Sequence, residues 1–276
     1  MSVEKYAVIG HPIAHSKSPL IHQAFAQQFG KTIVYDKVLA PLDGFLATVQ
    51  ELQQQGYLGA NVTVPFKFEA FDLSQTLSER AQAAGAVNTL SFSQAQIQGD
   101  NTDGCGLVND ILKHHQTALA AKRILLLGAG GAAQGVMLPL IAQRPAQVTV
   151  ANRSQDKAQA MLKKFATEAQ QFDVSLAVTS FTDLNAPLNE PYDVVINATS
   201  AGLTDTPLSL SSQLFGAHTL AYDMMYGRET PFMQQARLAG AKVVDGLGML
   251  IEQAAEAFFI WHGLRPDTAP VIQAFR

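Results

Sequence analysis

Residues Ile124–Val136 read I-L-L-L-G-A-G-G-A-A-Q-G-V, a short aliphatic run that breaks into glycines and continues in a helical pattern. The run Arg123–Leu127 is typical of a strand buried on both faces of a parallel sheet. Gly128 permits a tight turn, Gly130 lets backbone N–H groups approach a pyrophosphate, and Ala133 takes the third small position of G-x-G-x-x-A. The stretch therefore predicts a Rossmann-type dinucleotide-binding unit.

The turn after the next strand indicates which dinucleotide binds. Gln147–Ala151 is the predicted strand, and Asn152 follows it roughly 20 residues beyond the glycines, where NAD-binding units carry an acidic residue. No acid stands there. Arg153 offers a planar fork for phosphate, Ser154 a hydroxyl and Lys157 a second charge, which favours NADP. The alternative is that these charges merely solvate a loop and the start of a helix.

Composition limits the class of protein. The 276 residues are 47% hydrophobic and 15% charged, against roughly 25% charged in average proteins, which indicates compact domains, and the length suits two of them. The net charge of −4 argues against nucleic acid as a partner. No apolar run approaches the roughly 18 residues that span a bilayer, and with no signal peptide in view we expect a cytoplasmic protein.

Metal binding is not expected. The chain has one cysteine, Cys105, and its seven histidines lack the spacing of metal ligands. His114 and His115 are expected to lie on a solvated helix end.

The N-terminal half alternates strands and helices. Tyr6–Gly10, Ile33–Val38 and Gly59–Val64 are predicted strands, with helices over Pro19–Phe29 and Pro41–Gln55 between them. This β-α-β-α-β series predicts a second α/β sheet. Paired strands follow over 86–91 and 96–99, and a helix from near Leu107 leads into the glycine turn. The last apolar helix, Met249–His262, has no strand after it and is expected to return to the first domain.

Four polar clusters lie near predicted strand ends, where ligands bind in open α/β sheets. They are H-S-K-S-P at 15–19, N-V-T-V-P-F-K at 61–67, G-A-V-N-T at 85–89 and G-D-N-T-D-G at 99–104. Ser16 and Ser18 precede a helix that starts with proline, so they could cap that helix or bind an anion. Taken singly, each cluster could be no more than a turn.

Together these segments closely resemble the shikimate dehydrogenase family over nearly the whole chain. The matching motifs, in order, are S-K-S-P at 16–19, N-V-T-V-P-F-K at 61–67, G-A-V-N-T at 85–89, D-N-T-D-G at 100–104, G-A-G-G-A-A at 128–133, N-R-S at 152–154, N-A-T-S-A-G at 197–202, Y-D-M-M-Y at 222–226 and D-G-L-G-M-L at 245–250. Ser154 is a small departure, because many relatives have threonine there.

The resemblance implies NADPH-dependent, reversible reduction of 3-dehydroshikimate to shikimate, in the synthesis of chorismate and the aromatic amino acids. It implies an α/β fold with an N-terminal substrate domain over 1–104 plus 247–276, a Rossmann-type NADP-binding domain over 105–246, and a cleft between them. The expected partner is a small-molecule substrate, with neither nucleic acid nor membrane, and the protein is expected to be a monomer or a homodimer.

The resemblance also assigns residues to roles. Lys67 and Asp103 become the catalytic pair, because a ketone that receives hydride builds negative charge on oxygen, which a lysine can stabilise and protonate. Lys67 could be the proton donor or chiefly an electrostatic stabiliser. The alternative to a catalytic pair is that Lys67 and Asp103 form an ordinary salt bridge between strand ends. The substrate-binding set is Ser16, Ser18, Thr63, Lys67, Asn88, Asp103, Tyr226 and Gln253. The cofactor-binding set is Glu79, Gly128, Ala129, Gly130, Gly131, Ala132, Asn152, Arg153, Ser154, Lys157, Thr199, Met224 and Gly246.

Two other functions compete with this interpretation. A quinate/shikimate dehydrogenase of relaxed substrate and cofactor choice would often show an acidic residue in place of Asn152 or Arg153. A non-catalytic NADP-binding sensor could use the same fold, since fold does not prove function. A sensor gives no reason for Lys67 and Asp103 to be present together.

Overall fold

The structure is a computed structural model that describes residues 3–93, 96–187, 190–199, 201, 207–208 and 210–276. The chain divides into two compact units, the first formed by Met1–Gly106 with Leu250–Arg276 and the second by Leu107–Met249. The predicted functional domains remain a prediction, because compactness says nothing about what each unit binds. None of the helices in the described part of the chain is long and apolar enough to cross a membrane.

The first unit contains a mixed six-stranded sheet. Its elements in chain order are β1 (Glu4–Gly10), α1 (Ser18–Gln28), β2 (Ile33–Leu39), α2 (Phe45–Gln54), β3 (Gly59–Val62), α3 (Lys67–Leu73), β4 (Thr76–Leu77), α4 (Glu79–Ala84), β5 (Thr89–Phe92), β6 (Ile97–Asp100) and the start of α5 (Asp103–Asn109). The strand order is β2-β1-β3-β5-β6-β4. Strands β1, β2 and β3 are parallel, as the β-α-β-α-β pattern predicts, whereas β5 runs antiparallel to both β3 and β6.

The second unit is a parallel six-stranded sheet. Its elements are β7 (Arg123–Leu127), α6 (Gly131–Ile141), β8 (Gln147–Ala151), α7 (Gln155–Lys164), α8 (Ala166–Gln171), β9 (Ser175–Thr179), β10 (Val194–Asn197), β11 (Leu220–Asp223), α9 (Pro231–Leu238) and β12 (Lys242–Val244), and the chain then continues through α10 (Leu247–His262) to α11 (Ala269–Phe275). The strand order is β12-β11-β10-β7-β8-β9, so the topological switch point, where the order of the strands reverses, lies between β7 and β10. This is the Rossmann arrangement, so the predicted α/β fold class is confirmed.

The strands of the second unit are aliphatic because both of their faces are covered. Val194, Val195 and Ile196 in the central strand β10 are fully buried, as are Ile124–Leu127 in β7. A parallel sheet covered on both faces accepts such continuous apolar runs, and it leaves polar residues to the loops at the strand ends. These loops are where a ligand can be bound.

Some local predictions were wrong in their bounds. The helix predicted from Pro41 begins at Phe45, because Gly44 donates its backbone N–H to the Pro41 carbonyl in a turn. The strand predicted to reach Val64 ends at Val62. The helix predicted near Leu107 begins four residues earlier, at Asp103.

His115 is not on a solvated helix end. After α5 the chain makes a π-helical turn over Asp110–His114, with the His115 backbone N–H donated to the Asp110 carbonyl. The turn brings the two side chains together, with His115 Nε2 3.5 Å from Asp110 Oδ1 and only 9% of the histidine side chain exposed. The hydroxyl of Tyr222 donates to the other carboxylate oxygen of Asp110 at 2.5 Å. These groups bind one another inside the second unit.

Candidate functional site

Sheet register in the first unit brings four separate segments to one edge. Asn61 in β3 pairs with Thr89 in β5, and Thr89 pairs in turn with Asp100 in β6. Because β5 is antiparallel to its neighbours, the residue before β5 lies at the same edge as the residues after β3 and β6. Asn88, Lys67 and Asp103, distant in sequence, therefore meet at the edge where β1 also ends.

Lys67 and Asp103 form an ion pair at this edge. Lys67 is the first residue of α3 and Asp103 the first of α5, and the lysine Nζ donates to Asp103 Oδ2 at 2.6 Å. The side chains are 29% and 16% exposed, so solvent or a ligand still reaches the pair. Asp103 is the only described residue that accepts a hydrogen bond from this ammonium group, and its remaining N–H donors can serve a bound molecule.

Asn88 holds Asp103 in place. Its Nδ2 donates to Asp103 Oδ1 at 2.8 Å and to Thr102 Oγ1 at 3.0 Å, while its Oδ1 accepts from the Thr102 backbone N–H at 2.9 Å. Asn88 is 2% exposed, so its amide orientation is fixed by partners within the protein. Each oxygen of the Asp103 carboxylate thus has its own donor, Lys67 on one side and Asn88 on the other.

Gln253 joins this cluster from α10, far along the chain. Its Oε1 accepts hydrogen bonds from Asn88 Nδ2 and Thr102 Oγ1, each at 3.3 Å, and its Nε2 donates to the Leu250 carbonyl. The sequence could place Gln253 here only through the family motif, because no local pattern links it to Asn88.

Ser16 and Ser18 lie beside the start of α1. Ser16 Oγ donates to Ser18 Oγ at 3.2 Å and accepts from the Ser18 backbone N–H at 3.3 Å. The N-cap residue is Lys17, whose side chain makes no capping bond. One hydroxyl thus satisfies a backbone donor at the helix start, and both remain grouped at a helix N-terminus, where an anion is favoured.

Thr63 follows β3 and lies against the end of β1. A Cβ atom added to Gly10 would lie 2.4 Å from Thr63 Cγ2, so only glycine allows the two segments to approach this closely. The Thr63 backbone N–H donates to the Ile9 carbonyl at 2.9 Å, which fixes the residue beside the β1 end. Thr63 is half-buried at the edge that carries Lys67.

A charged network that sequence reasoning missed lies behind the cluster. Arg80 in α4 binds Asp100 through two hydrogen bonds, Nε to Oδ1 at 2.6 Å and Nη2 to Oδ2 at 3.0 Å. Its Nη1 donates to Glu256 of α10 at 3.1 Å and to Cys105 Sγ at 3.2 Å, and Arg265 also donates to Glu256. Burial raises the pKa of the Cys105 thiol to about 12, so the thiol stays protonated. The network fixes the end of β6, three residues before Asp103, and it fixes α10, which carries Gln253.

The glycine turn of the second unit leaves open space above the N-terminus of α6. Gly128 has a φ of +103°, a conformation that favours glycine, and α6 begins after Gly130 without a side-chain cap. A Cβ atom added to Gly130 would meet nothing within 4 Å. Ala129 is half-buried, and Gly130, Gly131 and Ala132 are exposed. Exposed backbone N–H groups at a helix N-terminus suit a pyrophosphate.

Two cations lie near the end of β8, Arg153 in the loop and Lys157 in the first turn of α7. Ser154 caps α7 by accepting from the Lys157 backbone N–H at 3.4 Å, and Asn152 Nδ2 donates to the Ser154 carbonyl at 2.9 Å. Arg153 and Lys157 are exposed, and neither forms an ion pair with any residue that the structure describes. The alternative of solvated charges stays open from geometry alone.

The remaining predicted cofactor residues in the second unit lie at the same sheet edge. A Cβ atom on Gly128 would lie 3.3 Å from Thr199 Cγ2, and one on Gly246 would lie 2.3 Å from the Met224 carbonyl oxygen. The loop after β7 therefore contacts the loop after β10, and the loop after β12 contacts the loop after β11. Of the motif at 197–202, Ser200 and Gly202 lie outside the described residues.

Two predicted site residues remain, Tyr226 for the substrate and Glu79 for the cofactor. Tyr226 is half-buried in the loop after β11, and burial raises the pKa of its phenol. Glu79 is the exposed first residue of α4 in the first unit. The roles assigned to both remain predictions. Among the described residues, no group of three His, Cys, Asp or Glu side chains could hold a metal ion.

Comparison with protein families gives three matches along the chain. Residues 8–90 match the shikimate dehydrogenase substrate binding domain, residues 110–207 match shikimate / quinate 5-dehydrogenase, and residues 246–274 match the shikimate 5'-dehydrogenase C-terminal domain. The first match covers Lys67 and Asn88, the second covers the glycine turn, and the third covers Gln253.

Individual relatives are similar over the whole length. The chain is 58% identical over 275 residues to the shikimate dehydrogenase (NADP(+)) of Methylobacillus flagellatus, with 99% of each chain covered. Among solved structures, an Ael1 enzyme from Pseudomonas putida has a TM-score of 0.91 at 42% identity, covering 98% of this chain and 97% of that one. The shikimate 5-dehydrogenase of Thermus thermophilus, solved with NADP(H) and shikimate, has a TM-score of 0.84 at 32% identity, covering 99% and 98%.

Proposed function

The chain belongs to the shikimate dehydrogenase family, and we propose on that basis that it catalyses the NADPH-dependent, reversible reduction of 3-dehydroshikimate to shikimate. The enzyme is an NADP-dependent oxidoreductase of chorismate and aromatic amino acid synthesis. The observation that carries the assignment is the Lys67–Asp103 pair at 2.6 Å, fixed by Asn88 at a sheet edge. A protein that only senses NADP has no use for a positioned ammonium group of this kind.

Lys67 and Asp103 perform the chemistry on the substrate oxygen. When bound, NADPH supplies the hydride that reduces the ketone. The oxygen gains negative charge, and the ammonium group of Lys67 stabilises that charge and lies in position to donate a proton. Asp103 holds the ammonium group through Oδ2, and Asn88 prevents the carboxylate from turning away. Asp103 also accepts a hydrogen bond from a neighbouring substrate hydroxyl.

The other polar groups of the first unit bind the substrate. Ser16 and Ser18 donate hydroxyl hydrogen bonds to its carboxylate, supported by the N-terminus of α1. Thr63 and Gln253 contact the ring hydroxyls, and Asn88 positions Asp103 from within the protein. Tyr226 is a further proposed substrate-binding residue.

The glycine turn fits a dinucleotide, because the open space above Gly130 is space that the protein's own side chains leave unfilled. The pyrophosphate lies against the exposed backbone of the turn, where the N–H groups of α6 are directed. The proposed pyrophosphate contacts are Gly128, Ala129, Gly130, Gly131 and Ala132. The proposed contacts of the nicotinamide half are Thr199, Met224 and Gly246, with Glu79 as a further cofactor contact.

The loop after β8 explains a preference for NADP. Arg153 and Lys157 have no acidic partners among the described residues, so their charge is available to the adenosine 2′-phosphate. Asn152 braces the turn through its bond to the Ser154 carbonyl, and the Ser154 hydroxyl lies beside them. No acidic side chain stands where NAD-dependent relatives bind the ribose.

The test of the function is the change in absorbance at the NADPH band with shikimate and quinate offered in turn against NADP and NAD. We expect rapid reduction of NADP by shikimate and none with NAD. Turnover of quinate, which one matching family model includes in its name, or use of NAD, would identify an enzyme of relaxed specificity. No reaction in any of the four mixtures would contradict the proposal and favour the sensor.

Arg153→Ala is expected to raise the KM for NADP tenfold or more, equivalent to about 1.4 kcal/mol, because the variant loses the planar fork for the phosphate. Steady-state kinetics at saturating shikimate measure it. Lys164→Ala, at the end of the same helix α7, is the matched control and should leave this KM unchanged. An unaltered KM in Arg153→Ala would show that the phosphate is bound elsewhere.

The proposal includes a cytoplasmic enzyme that is a monomer or a homodimer. Light scattering on the purified protein distinguishes the two states, and cell fractionation tests the compartment.

A further inference from the structure

Tyr35 lies at the centre of a buried hydrogen-bond chain that reaches the catalytic pair. The residue is in the middle of β2 and only 4% exposed, and its hydroxyl donates to Asn61 Oδ1 at 2.6 Å. Asn61, in β3, is itself 6% exposed. Neither residue has a role among those proposed above.

The chain continues from Asn61 in one direction. Asn61 Nδ2 donates to Thr89 Oγ1 at 3.1 Å and to the Asn88 carbonyl at 3.3 Å. Thr89 Oγ1 donates to Asn88 Oδ1 at 2.9 Å, and Asn88 Nδ2 donates to Asp103 Oδ1 at 2.8 Å. Every step donates toward Asp103, whose other oxygen binds Lys67.

The opposite end of the chain approaches the serines. The Ser18 hydroxyl interacts with the Tyr35 phenol and partly offsets the effect of burial, which raises the pKa of Tyr35 well above its usual range. Ser16 Oγ donates to Ser18 Oγ at 3.2 Å. Tyr35 thus stands between the proposed carboxylate-binding hydroxyls and the catalytic pair, and it stays protonated as a donor.

The aromatic core holds the phenol in a single position. The Tyr35 ring stacks on His22 with centroids 4.3 Å apart and planes at 16°, and the Trp261 ring is tilted beside it with its centroid 6.4 Å away. A ring packed in this way cannot turn its hydroxyl elsewhere without disturbing the core. The direction of the bond to Asn61 is therefore fixed by packing.

Amide orientation explains why one hydroxyl matters. Asn61 has an acceptor and a donor on one side chain, and its orientation is set by the Tyr35 hydroxyl, which donates to Oδ1, together with the Asn88 carbonyl, which accepts from Nδ2. A reversed Asn61 would present an acceptor to Thr89 and remove the support for the Asn88 amide. The Asn88 oxygen would then keep its bond from the Thr102 backbone N–H but lose the one from Thr89, so the amide that donates to Asp103 would be held less firmly.

We propose that Tyr35 is a positioning residue of the active site, which sets the Asn61 and Asn88 amides and through them the Asp103 carboxylate that holds Lys67. The inference rests on the proposed function, because it concerns the same site. It adds Asn61 and Thr89 as members of the same support.

Tyr35→Phe tests the proposal by removing one oxygen atom and keeping the stacked ring. We expect kcat/KM for shikimate to fall about five- to tenfold, since one buried hydrogen bond is lost, and the pH profile of kcat to shift because Lys67 and Asp103 lose their fixed geometry. The KM for NADP should stay within about twofold. Tyr57→Phe is the matched control, because the Tyr57 hydroxyl donates to Asp36 at 2.5 Å in the same unit and outside the chain.

A double-mutant cycle, measured on the affinity for shikimate, separates a positioning role of Tyr35 from a merely structural one. Calorimetry on Tyr35→Phe, Asp103→Asn and the double variant should show losses that are not additive, because both changes act on the same carboxylate. Three results would each overturn the inference. They are additive losses of shikimate affinity, an unchanged pH profile of kcat, and a loss in the kinetics of NADP as large as the loss for shikimate. Wild-type protein that turns over no shikimate would instead contradict the proposed function.

Discussion

Lys67→Ala is expected to lower kcat for shikimate oxidation roughly a thousandfold, or about 4 kcal/mol of barrier, while the Kd for NADP stays unchanged. The ammonium group lies at the proposed substrate site, and Asp103 alone among the described residues binds it. Removing it leaves the developing oxygen charge without a stabilising donor. Stopped-flow absorbance gives the rate, and fluorescence titration gives the NADP affinity.

The controls for Lys67→Ala address folding and mechanism. Lys5→Ala, which removes a partly exposed lysine of the same unit bonded to the Gln55 carbonyl, should retain full activity. Lys67→Arg keeps the charge but cannot readily release a proton, so its recovery of activity would assign an electrostatic role and its inactivity a role in proton donation. Turnover near that of the wild type in folded Lys67→Ala would contradict the catalytic assignment.

The sequence predicts those parts of the fold and the site where the local backbone geometry restricts which residues can stand at a position. The glycine turn at Gly128–Gly130 must satisfy a positive φ and open space at a helix start, so it leaves a readable pattern, and the Rossmann prediction is confirmed. The strand predicted over Gln147–Ala151 is confirmed at both ends. Lys67 and Asp103 are predicted as a pair because each follows a strand end in a motif shared with a family, and the structure places Lys67 Nζ 2.6 Å from Asp103 Oδ2, while their catalytic role stays a prediction.

The supporting residues could not be predicted because their partners are remote. Arg80 and Glu256 are separated by 176 residues, and only the folded sheet and α10 bring them together. Tyr35 occupies an ordinary strand position, where an aromatic residue needs no explanation beyond burial. Its hydroxyl acquires a role only through the β1, β2 and β3 register, which periodicity does not specify.

The packing that stacks Tyr35 on His22 of α1 also makes the stability of the first unit sensitive to acid. This side chain is fully buried, and burial lowers its pKa to about 3, with His262 acting in the same direction and Asn61 opposing both more weakly. An unfolded chain binds this proton near pH 6.5. Between the two values the unfolded state holds a proton that the folded state lacks, so stability is complete above pH 6.5 and falls as the pH drops toward 3.

At pH 5 the expected loss from His22 is about 2 kcal/mol of unfolding free energy relative to pH 7, since each pH unit contributes at most about 1.4 kcal/mol. Urea unfolding at the two pH values measures it.

His22→Phe keeps an aromatic ring against Tyr35 and removes the titration, so its stability should differ much less between pH 7 and 5. His15→Asn removes an exposed histidine from the same unit and should retain the wild-type difference. A residual slope in His22→Phe is expected, because burial also lowers the pKa of His262. If His22→Phe lost as much stability on acidification as the wild type, the acid sensitivity would have to arise at other groups.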